Sequence, residues 1–285
     1  MINILDEVKG AASIAIGGHI RPDGDCVGSC LGMWKYLKNA LPDVKVDVYL
    51  EETPAVFEWM CGLDKIKRPD GTKHNYDVFI ALDCNVERLG DSEPIFRGAK
   101  KRINIDHHIT NQGEGDVNYV VPTASSASEL VYDTMQDKQY VDVDIAMDIY
   151  TGIVHDTGVF QYSSVSPKTL RTAAELIEYG FDFTSLIEET FYEKTYAQNQ
   201  VMGRTVMEST LFMDGKCIIG HLDSSTMKLY GVTSKDMDGI VNQLRYTKGV
   251  DCAVFTYEIG EGDYKVSLRS NGVVESIRHK RNPDV

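Results

Sequence analysis

Two short motifs place histidines and acids at spacings that are typical of metal ligands. The first, HIRPDGD, contains His19, Asp23 and Asp25, and the second, NIDHH, ends in Asp106, His107 and His108. Neutral imidazoles and carboxylates are ligands for hard-to-borderline divalent ions. Two such ions can hold and polarise a phosphate group. The two motifs therefore predict a phosphoesterase.

Two further acids lie at predicted element ends, Asp83 in ALDCN and Asp156 in GIVHDTGVF. Taken singly, each motif has an ordinary explanation. Paired acids occur in Asp-rich turns, and an Asp-His-His triplet can cap a helix. The four motifs occur together and in one order, however, and this joint presence favours the metal-site interpretation.

The first half of the chain alternates β-branched runs with amphipathic stretches. The runs predicted as buried strands cover residues 13–18, 44–50, 76–83 and 101–106, and a helical pattern runs from about Val27 to Asn39. This alternation predicts an α/β fold with a doubly wound, mainly parallel sheet. Ligands bind outside the carboxyl ends of the strands in such sheets, which is where the motifs lie.

Further helical patterns cover about 125–136, 143–154, 168–179 and 186–204. Ser125 and Ser126 are well placed to cap the first of them, and the second delivers Asp156 at its end. From about Met207 the pattern changes to a smaller α+β unit. We predict a first domain over 1–190, a helical linker over 191–206 and a second domain over 207–285.

Composition favours a soluble cytoplasmic enzyme. The 285 residues are 42% hydrophobic and 25% charged, and the six cysteines form no CxxC pair. No basic segment followed by an apolar run begins the chain, and no apolar run is long enough to span a membrane. The net charge of −14 argues against tracking long double-stranded nucleic acid, because counterion release needs a basic surface. A small phosphorylated substrate fits better.

In these motifs the chain resembles the DHH phosphoesterase superfamily, in the branch with a DHHA1 domain. The resemblance runs through all four N-terminal motifs and continues with VNQLRY at 241–246 and VSLRSNG at 266–272. It therefore covers nearly the whole chain. It implies a metal-binding, catalytic DHH domain over 1–190 and a smaller α+β, DHHA1-like domain over 207–285 that binds the substrate. Bacterial nanoRNases and 3'-phosphoadenosine-5'-phosphate (pAp) phosphatases belong to this branch.

The resemblance implies a ligand set for each of two ions. One would be held by His19, Asp23, Asp83 and Asp156, and the other by Asp25, Asp83, His107 and Asp156. Two bridging carboxylates set such ions about 3.5 to 4 Å apart, where they share a water and clamp a phosphoryl group. His108 would donate to the phosphate or the leaving oxygen, and Asp106 would orient a neighbouring imidazole. Mixed His and carboxylate ligation favours Mn²⁺, with Mg²⁺ and Co²⁺ as alternatives.

The resemblance also suggests substrate contacts, which we expect from Arg88, Ser125, Ser126, Arg245, Arg269 and Ser270. For the serines, helix capping alone is a sufficient explanation. Relatives of this branch follow the LRS strand with a glycine-rich GGGH motif, whereas this chain ends NGVVESIRHKRNPDV. The second domain is therefore expected to be C-terminally incomplete, which puts substrate affinity in doubt.

Three functions stay open at this point. The first is a Mn²⁺-dependent hydrolase that cleaves short oligoribonucleotides to mononucleotides or removes the 3'-phosphate of pAp. The second is a phosphodiesterase for linear or cyclic dinucleotides. The third is a nucleotide-binding protein that keeps the metal site and has lost turnover. A homodimer is a further expectation.

Overall fold

The computed structural model describes residues 2–260 and 262–271 of the chain. They fall into two compact units that divide between Tyr192 and Glu193. Within the described residues, every helix is too short or too polar to cross a lipid bilayer.

The first unit is an α/β domain. Its strands are β1 (Ser13–Gly17), β2 (Lys45–Tyr49), β3 (Ile66–Lys67), β4 (Val78–Leu82), β5 (Lys101–Asp106) and β6 (Val117–Val120). Its α-helices are α1 (Ile4–Glu7), α2 (Gly24–Ala40), α3 (Glu93–Gly98), α4 (Ala127–Thr134), α5 (Val143–Asp156), α6 (Pro167–Ile177) and α7 (Phe183–Ile187). Short 3₁₀ segments cover Ala55–Phe57, Leu63–Lys65, Val86–Ser92 and Lys138–Tyr140, and a π-helical turn covers Glu188–Tyr192.

These strands form one parallel sheet in the order β3-β2-β1-β4-β5-β6. The order reverses between β1 and β4, and ligands bind at such switch points in doubly wound sheets. Side chains alternate between the two faces, so Ile14 and Ile16 pack in one core while Ala15 packs in another. The predicted doubly wound parallel sheet is confirmed.

Helices α2 and α5 pack closely on one face of this sheet. A Cβ on Gly28 would lie 2.3 Å from the Asp148 carbonyl oxygen, and one on Gly32 would lie 2.8 Å from the Ile149 side chain. At Gly28 only glycine permits this approach without a backbone shift, whereas at Gly32 the Ile149 side chain would have to move. The contact fixes the axis of α5, and with it the position of Asp156 as the last residue of that helix.

The second unit consists of α8 (Tyr196–Glu208), β7 (Thr210–Phe212), β8 (Cys217–Leu222), α9 (Ser224–Tyr230), α10 (Ile240–Arg245), β9 (Cys252–Gly260) and β10 (Asp263–Ser270), with a 3₁₀ turn at Ser234–Asp236. Its strands form a mixed sheet in the order β10-β9-β8-β7. The buried face of the sheet, which includes Ala253, Phe255 and Tyr257, belongs to the core of this unit. The expected second, smaller α+β domain is present.

One predicted helix is wrong in its extent. Instead of a single run over 186–204, the chain leaves α7 through the π-helical turn and starts again at α8. The Thr195 side chain accepts a hydrogen bond from the Gln198 amide, and the Gln198 side chain accepts one from the Thr195 amide. This capping box starts a new helix. Val201 of α8 is fully buried in the core of the second unit, so this helix is part of that unit.

Asp148 is an unusual residue in the interior of α5. It is fully buried, and neither carboxyl oxygen has a hydrogen-bond partner within the described residues. Burial, together with the negative charge of Asp144, raises the pKa of this carboxyl well above its ordinary value. The folded state therefore binds the Asp148 proton more tightly than the unfolded state does.

We expect Asp148→Asn to raise the free energy of unfolding at pH 8 by about 1–3 kcal/mol, because an amide does not ionise in the apolar interior. For the unaltered chain, the contribution of Asp148 is fully present below the unfolded pKa of about 4 and is lost as pH rises toward the folded pKa. Urea unfolding between pH 4 and pH 8 measures both effects. The exposed Asp43→Asn variant is the control. Equal pH dependence in the two variants would contradict this account of Asp148.

Candidate metal centre

Three neighbouring strands end at one edge of the first sheet. His19 follows β1, Asp83 directly follows β4, and Asp106 is the last residue of β5. Asp83 has a φ of 57°, in the left-handed region that residues other than glycine rarely adopt. Its amide still donates to the Ile105 carbonyl at 3.1 Å, so the chain turns out of the sheet at this residue. Backbone outliers of this kind cluster at functional sites.

The Asp83 carboxylate lies between two imidazoles. Its Oδ2 is 3.3 Å from Nε2 of His19, and its Oδ1 is 3.6 Å from Nε2 of His107. Asp83 is buried, and its Oδ1 has no hydrogen-bond partner among the described residues. An unpaired buried carboxylate oxygen is costly unless another group compensates its charge. A cation on each side of Asp83 would supply that compensation.

His19 presents one ring nitrogen to the acids. Its Nδ1 lies 2.8 Å from the Ile20 carbonyl oxygen, so Nδ1 carries a proton and Nε2 faces Asp83 and Asp23. Burial alone would lower the pKa of His19, but the contacts with Asp23 and Asp83 outweigh it and raise that pKa. Asp23 caps α2 by accepting from the amides of Asp25 and Cys26. Burial alone would raise the pKa of Asp23, but His19 and these two amides outweigh it and lower that pKa to about 2.

His107 is surrounded by acids from three elements. Its Nε2 is 3.9 Å from Oδ2 of Asp25, 3.5 Å from Oδ2 of Asp156 and 3.6 Å from Oδ1 of Asp83. Burial alone would lower the pKa of His107, but the nearby carboxylates raise it to about 10. Burial and the charge of Asp83 raise the pKa of Asp156 to about 6, although His107 opposes the shift.

Asp25 is held from the other side by α4. Its Oδ2 accepts from the Ala127 amide at 2.6 Å and its Oδ1 from the Ser128 amide at 2.8 Å. Burial, followed by the charges of Asp83 and Asp156, raises the pKa of Asp25 well above its ordinary value. The cluster therefore carries more buried negative charge than its own side chains neutralise.

Asp106 and His108 form a pair beside Asp83, whose Oδ1 lies 3.6 Å from Nδ1 of His108. Oδ1 of Asp106 accepts from the amides of His107 and His108 and lies 2.7 Å from Nδ1 of His108, while Oδ2 accepts from the Asn111 amide group at 2.5 Å. Burial alone would raise the pKa of Asp106, but the hydrogen bonds from His108 and Asn111 outweigh it and lower that pKa. Asp106 is thus oriented toward His108, with both of its oxygens engaged.

The donor atoms form three groups, each with atoms within 4.8 Å of one another. The groups are Asp83, Asp106, His107 and His108; His19, Cys26 and Asp83; and Asp25, His107 and Asp156. These groups contain five of the six predicted ligands, from four separated motifs. Asp23 belongs to none of them, although its Oδ1 lies 3.6 Å from Nε2 of His19. Cys26 is the unexpected member, since its spacing from Cys30 gave no signal beyond a small buried residue. Burial and Cys30 raise the pKa of its thiol well above the ordinary value.

The serines before α4 are occupied within the protein. Ser126 is fully buried and its Oγ accepts from the Glu129 amide at 3.0 Å, which caps the helix. Ser125 is also fully buried and donates to Oε2 of Glu129 at 2.5 Å. These partners explain both hydroxyls without a ligand. Their contact with substrate stays a prediction.

The predicted arginines are at least partly exposed. Arg88 lies in the 3₁₀ segment after Asp83, and its carbonyl accepts from the Ile20 amide at 2.8 Å. Arg245 ends α10, with its guanidinium 4.7 Å from the centre of the Tyr246 ring. Arg269 and Ser270 lie on β10, where Arg269 is exposed and donates to the Leu268 carbonyl. The expectation of an incomplete second domain, based on the missing GGGH motif, concerns residues from 272 onward. These residues lie outside the described part of the chain.

His155 precedes Asp156 but belongs to the packing of the domain. Its Nε2 is 3.0 Å from the Thr190 hydroxyl, and its ring packs edge-on against Phe57 and Phe191. A Cβ on Gly24 would lie 2.4 Å from the His155 ring. These contacts support a structural role.

Comparison with known proteins agrees with this fold. Residues 13–153 match the model of the DHH family, N-terminal domain. The bifunctional oligoribonuclease and PAP phosphatase NrnA of Thermus thermophilus is 30% identical over 276 residues, covering 96% of this chain and 80% of that protein. NrnA of Bacillus subtilis is 28% identical over 276 residues, covering 95% of this chain and 85% of that protein.

A crystal structure of an exopolyphosphatase-related protein from Bacteroides fragilis is 26% identical, with a TM-score of 0.87 over 94% of this chain and 82% of that chain. The chain belongs to the DHH family. The expected membership of the DHH family is confirmed, and with it the prediction that the chain is a hydrolase of the phosphoesterase type.

We expect Ser126→Ala to lower the free energy of unfolding by about 1 kcal/mol, because the first turn of α4 loses its cap. The Michaelis constant of the folded enzyme should not change. Denaturant unfolding and steady-state kinetics measure the two quantities. The exposed Ser225→Ala variant serves as a control. An unchanged stability together with a raised Michaelis constant would instead assign the Ser126 hydroxyl to substrate binding.

Proposed function

We propose that this protein is a metal-dependent phosphoesterase that cleaves short oligoribonucleotides to mononucleotides and removes the 3'-phosphate of pAp. The observation that carries the proposal is the Asp83 carboxylate, whose two oxygens face two different imidazoles at 3.3 and 3.6 Å. Relatives that align over most of both chains bear the name bifunctional oligoribonuclease and PAP phosphatase.

The same residues fit two divalent cations. In this proposal His19, Asp23, Asp83 and Asp156 hold one, and Asp25, Asp83, His107 and Asp156 hold the other. The unpaired buried Oδ1 of Asp83 and the raised pKa values of His19 and His107 support it, because both follow from uncompensated carboxylate charge. Once bound, the ions would supply positive charge that polarises a phosphoryl group and activates water.

Manganese is the ion that we propose. Two of the six ligands are imidazoles and four are carboxylates, and this mixed set suits Mn²⁺ better than the all-oxygen, water-rich shell typical of Mg²⁺. The buried Cys26 thiol near His19 and Asp83 adds a softer donor to the surroundings. Co²⁺ and Mg²⁺ are the alternatives that a metal series would compare.

His108 is the proposed proton donor to the phosphate or the leaving oxygen. Asp106 holds the ring through Nδ1, which leaves Nε2 as the nitrogen that can contact a substrate. The His108 side chain is 35% exposed, whereas Asp106 is fully buried. This arrangement suits a residue that touches substrate and a partner that only orients it.

Substrate contacts are proposed from the arginines. Arg88, Arg245 and Arg269 each carry a guanidinium that can bind a phosphate through two hydrogen bonds. Ser270 on β10 is a weaker candidate. Ser125 and Ser126 are the weakest, because both are fully buried and their hydroxyls have partners in the protein, so that we expect the Ser126 hydroxyl to act first as a helix cap. With a net charge of −14, the chain suits short nucleotides held by metals and a few arginines better than long nucleic acid.

A second candidate function is a dinucleotide phosphodiesterase. The cyclic-di-AMP phosphodiesterase PdeA of Listeria monocytogenes is 27% identical over 236 residues, which cover 74% of this chain but 34% of that protein. The same metal chemistry would serve both activities. The match covers a much smaller share of PdeA than of the NrnA relatives, which favours the first proposal.

Initial rates on a panel of substrates distinguish these functions. The panel contains labelled RNAs of two to five nucleotides, pAp, a cyclic dinucleotide and pyrophosphate, each with Mn²⁺. Release of mononucleotides from the short RNAs and of phosphate from pAp is the expected result. A preference for the cyclic dinucleotide would favour the second function. No hydrolysis of any substrate would defeat both.

We expect Asp83→Ala to lower turnover at saturating Mn²⁺ by at least about 100-fold, because both ions lose a shared ligand. Asp91→Ala, which removes an exposed acid from the same loop region, should leave turnover unchanged. Steady-state rates on the best substrate of the panel measure both variants. Wild-type turnover by Asp83→Ala would rule out a bridging role.

A further inference from the structure

Two asparagines, Asn104 on β5 and Asn111 in the loop after it, form a buried pair beside the candidate metal centre. Asn104 is fully buried and Asn111 is 8% exposed. The Asn111 side-chain amide donates to Oδ1 of Asn104 at 2.8 Å. We call these two side chains the amide pair. Neither belongs to the predicted ligand set.

Asn111 contacts both Asp106 and the residue that follows Asp83. Its side-chain nitrogen also lies 2.5 Å from Oδ2 of Asp106 and 3.0 Å from the carbonyl oxygen of Cys84. Its Oδ1 accepts from the Gly113 amide at 2.8 Å, and its own backbone amide donates to the His108 carbonyl at 3.0 Å. The side-chain amide and the backbone N–H of this residue are therefore all engaged within the protein.

Asn104 holds the other side of the pair. Its side-chain nitrogen donates to the carbonyl oxygens of Cys84 at 2.9 Å and Ala81 at 3.3 Å. Ala81 and Cys84 lie on either side of the turn at which Asp83 adopts its left-handed conformation. The two amide groups thus converge on the carbonyl oxygen of Cys84, the residue that directly follows Asp83.

We infer that the amide pair is a positioning element that fixes the Asp83 carboxylate relative to Asp106 and His108. It acts on Asp83 through the backbone at Ala81 and Cys84, and on His108 through Asp106. This inference rests on the proposed function, in which Asp83 is shared by two ions and His108 contacts the substrate.

A primary amide supplies both kinds of group that this position needs. Three acceptors, on Cys84, Asn104 and Asp106, share the two N–H groups of the Asn111 side chain, and the Gly113 amide donates to its carbonyl oxygen. Burial leaves little room for water to replace a lost donor. Removing the side chain would leave buried acceptors unpaired and free the Asp83 turn to move.

The substitution Asn111→Asp keeps the shape of the side chain but removes its donors. It also places a second carboxylate against Oδ2 of Asp106, so it should impair the site at least as strongly as Asn111→Ala. Asn111→Ser keeps one hydroxyl donor and should be intermediate. Asn118 provides matched controls, because its amide donates to the Gly115 carbonyl and accepts from the Gly115 amide, in the same region of the chain.

The test compares Asn111→Ala, Asn111→Ser and Asn111→Asp with Asn118→Ala and Asn118→Asp. Three quantities are measured on each: the unfolding midpoint, kcat and KM on the best substrate, and Mn²⁺ affinity by calorimetry. We expect Asn111→Ala to lower kcat or Mn²⁺ affinity about 10- to 100-fold, as for partners of metal ligands, with KM changed less than about threefold. The Asn118 variants should match the wild-type chain.

Several outcomes would overturn the inference. Wild-type kcat and Mn²⁺ affinity in Asn111→Ala would do so, as would losses that match the unfolded fraction or occur equally in the Asn118 variants. If Asn111→Ala does not fold, Asn111→Ser decides by the same criteria. If the wild-type chain hydrolyses no substrate, the proposed function fails, and the Mn²⁺ affinities alone decide whether the amide pair positions the site.

Discussion

The placement of one carboxylate between two imidazoles is the constraint on which the site depends. Asp83 can face both His19 and His107 because β1, β4 and β5 are neighbours in the sheet and end at the same edge. Its left-handed backbone turns the carboxylate out of the strand, and the carbonyl next to it is held by the amide pair. The other acids arrive from helix ends, Asp23 and Asp25 at the start of α2 and Asp156 at the end of α5.

The electrostatics of the site follow from this convergence. Asp25, Asp83 and Asp156 gather around His107, and burial and mutual repulsion raise the pKa of Asp25 and Asp156. A domain core would ordinarily exclude such a group of acids. The first sheet and the close packing of α2 on α5 stabilise the surrounding fold, and bound cations would remove the repulsion. The site therefore buries mutually repelling carboxylates that a domain core usually lacks, and such exceptions are typical of functional sites.

Periodicity and motif spacing account for much of this arrangement. The predicted strands at 13–18, 44–50, 76–83 and 101–106 correspond to β1, β2, β4 and β5, and the ligand motifs lie at their ends. The short strand β6 and the helix α9 were not predicted, because four to seven residues give little periodic signal. The helix expected over 186–204 is interrupted, because the Thr195 and Gln198 capping box starts a new helix at Tyr196.

The parts that could not be predicted depend on long-range contacts. No pattern near Asp83 in the sequence indicates a left-handed backbone. In the structure Asp83 ends a strand that pairs with β5, and the carbonyl of the next residue accepts from Asn104 and Asn111. Ser126 fits a capping residue and a substrate contact equally well until its partner, the Glu129 amide, is seen. Asn111 follows His108 by three residues, a spacing that indicates a turn, but its contact with Cys84 is visible only in the folded domain.

Electron paramagnetic resonance of the intact chain titrated with Mn²⁺ tests the central claim most directly. The account predicts that two Mn²⁺ ions bind per chain and that the second produces the spectrum of an exchange-coupled pair, because Asp83 bridges them. Binding of a single ion, or of two ions whose spectra are simply additive, would contradict a shared carboxylate at the centre of the site.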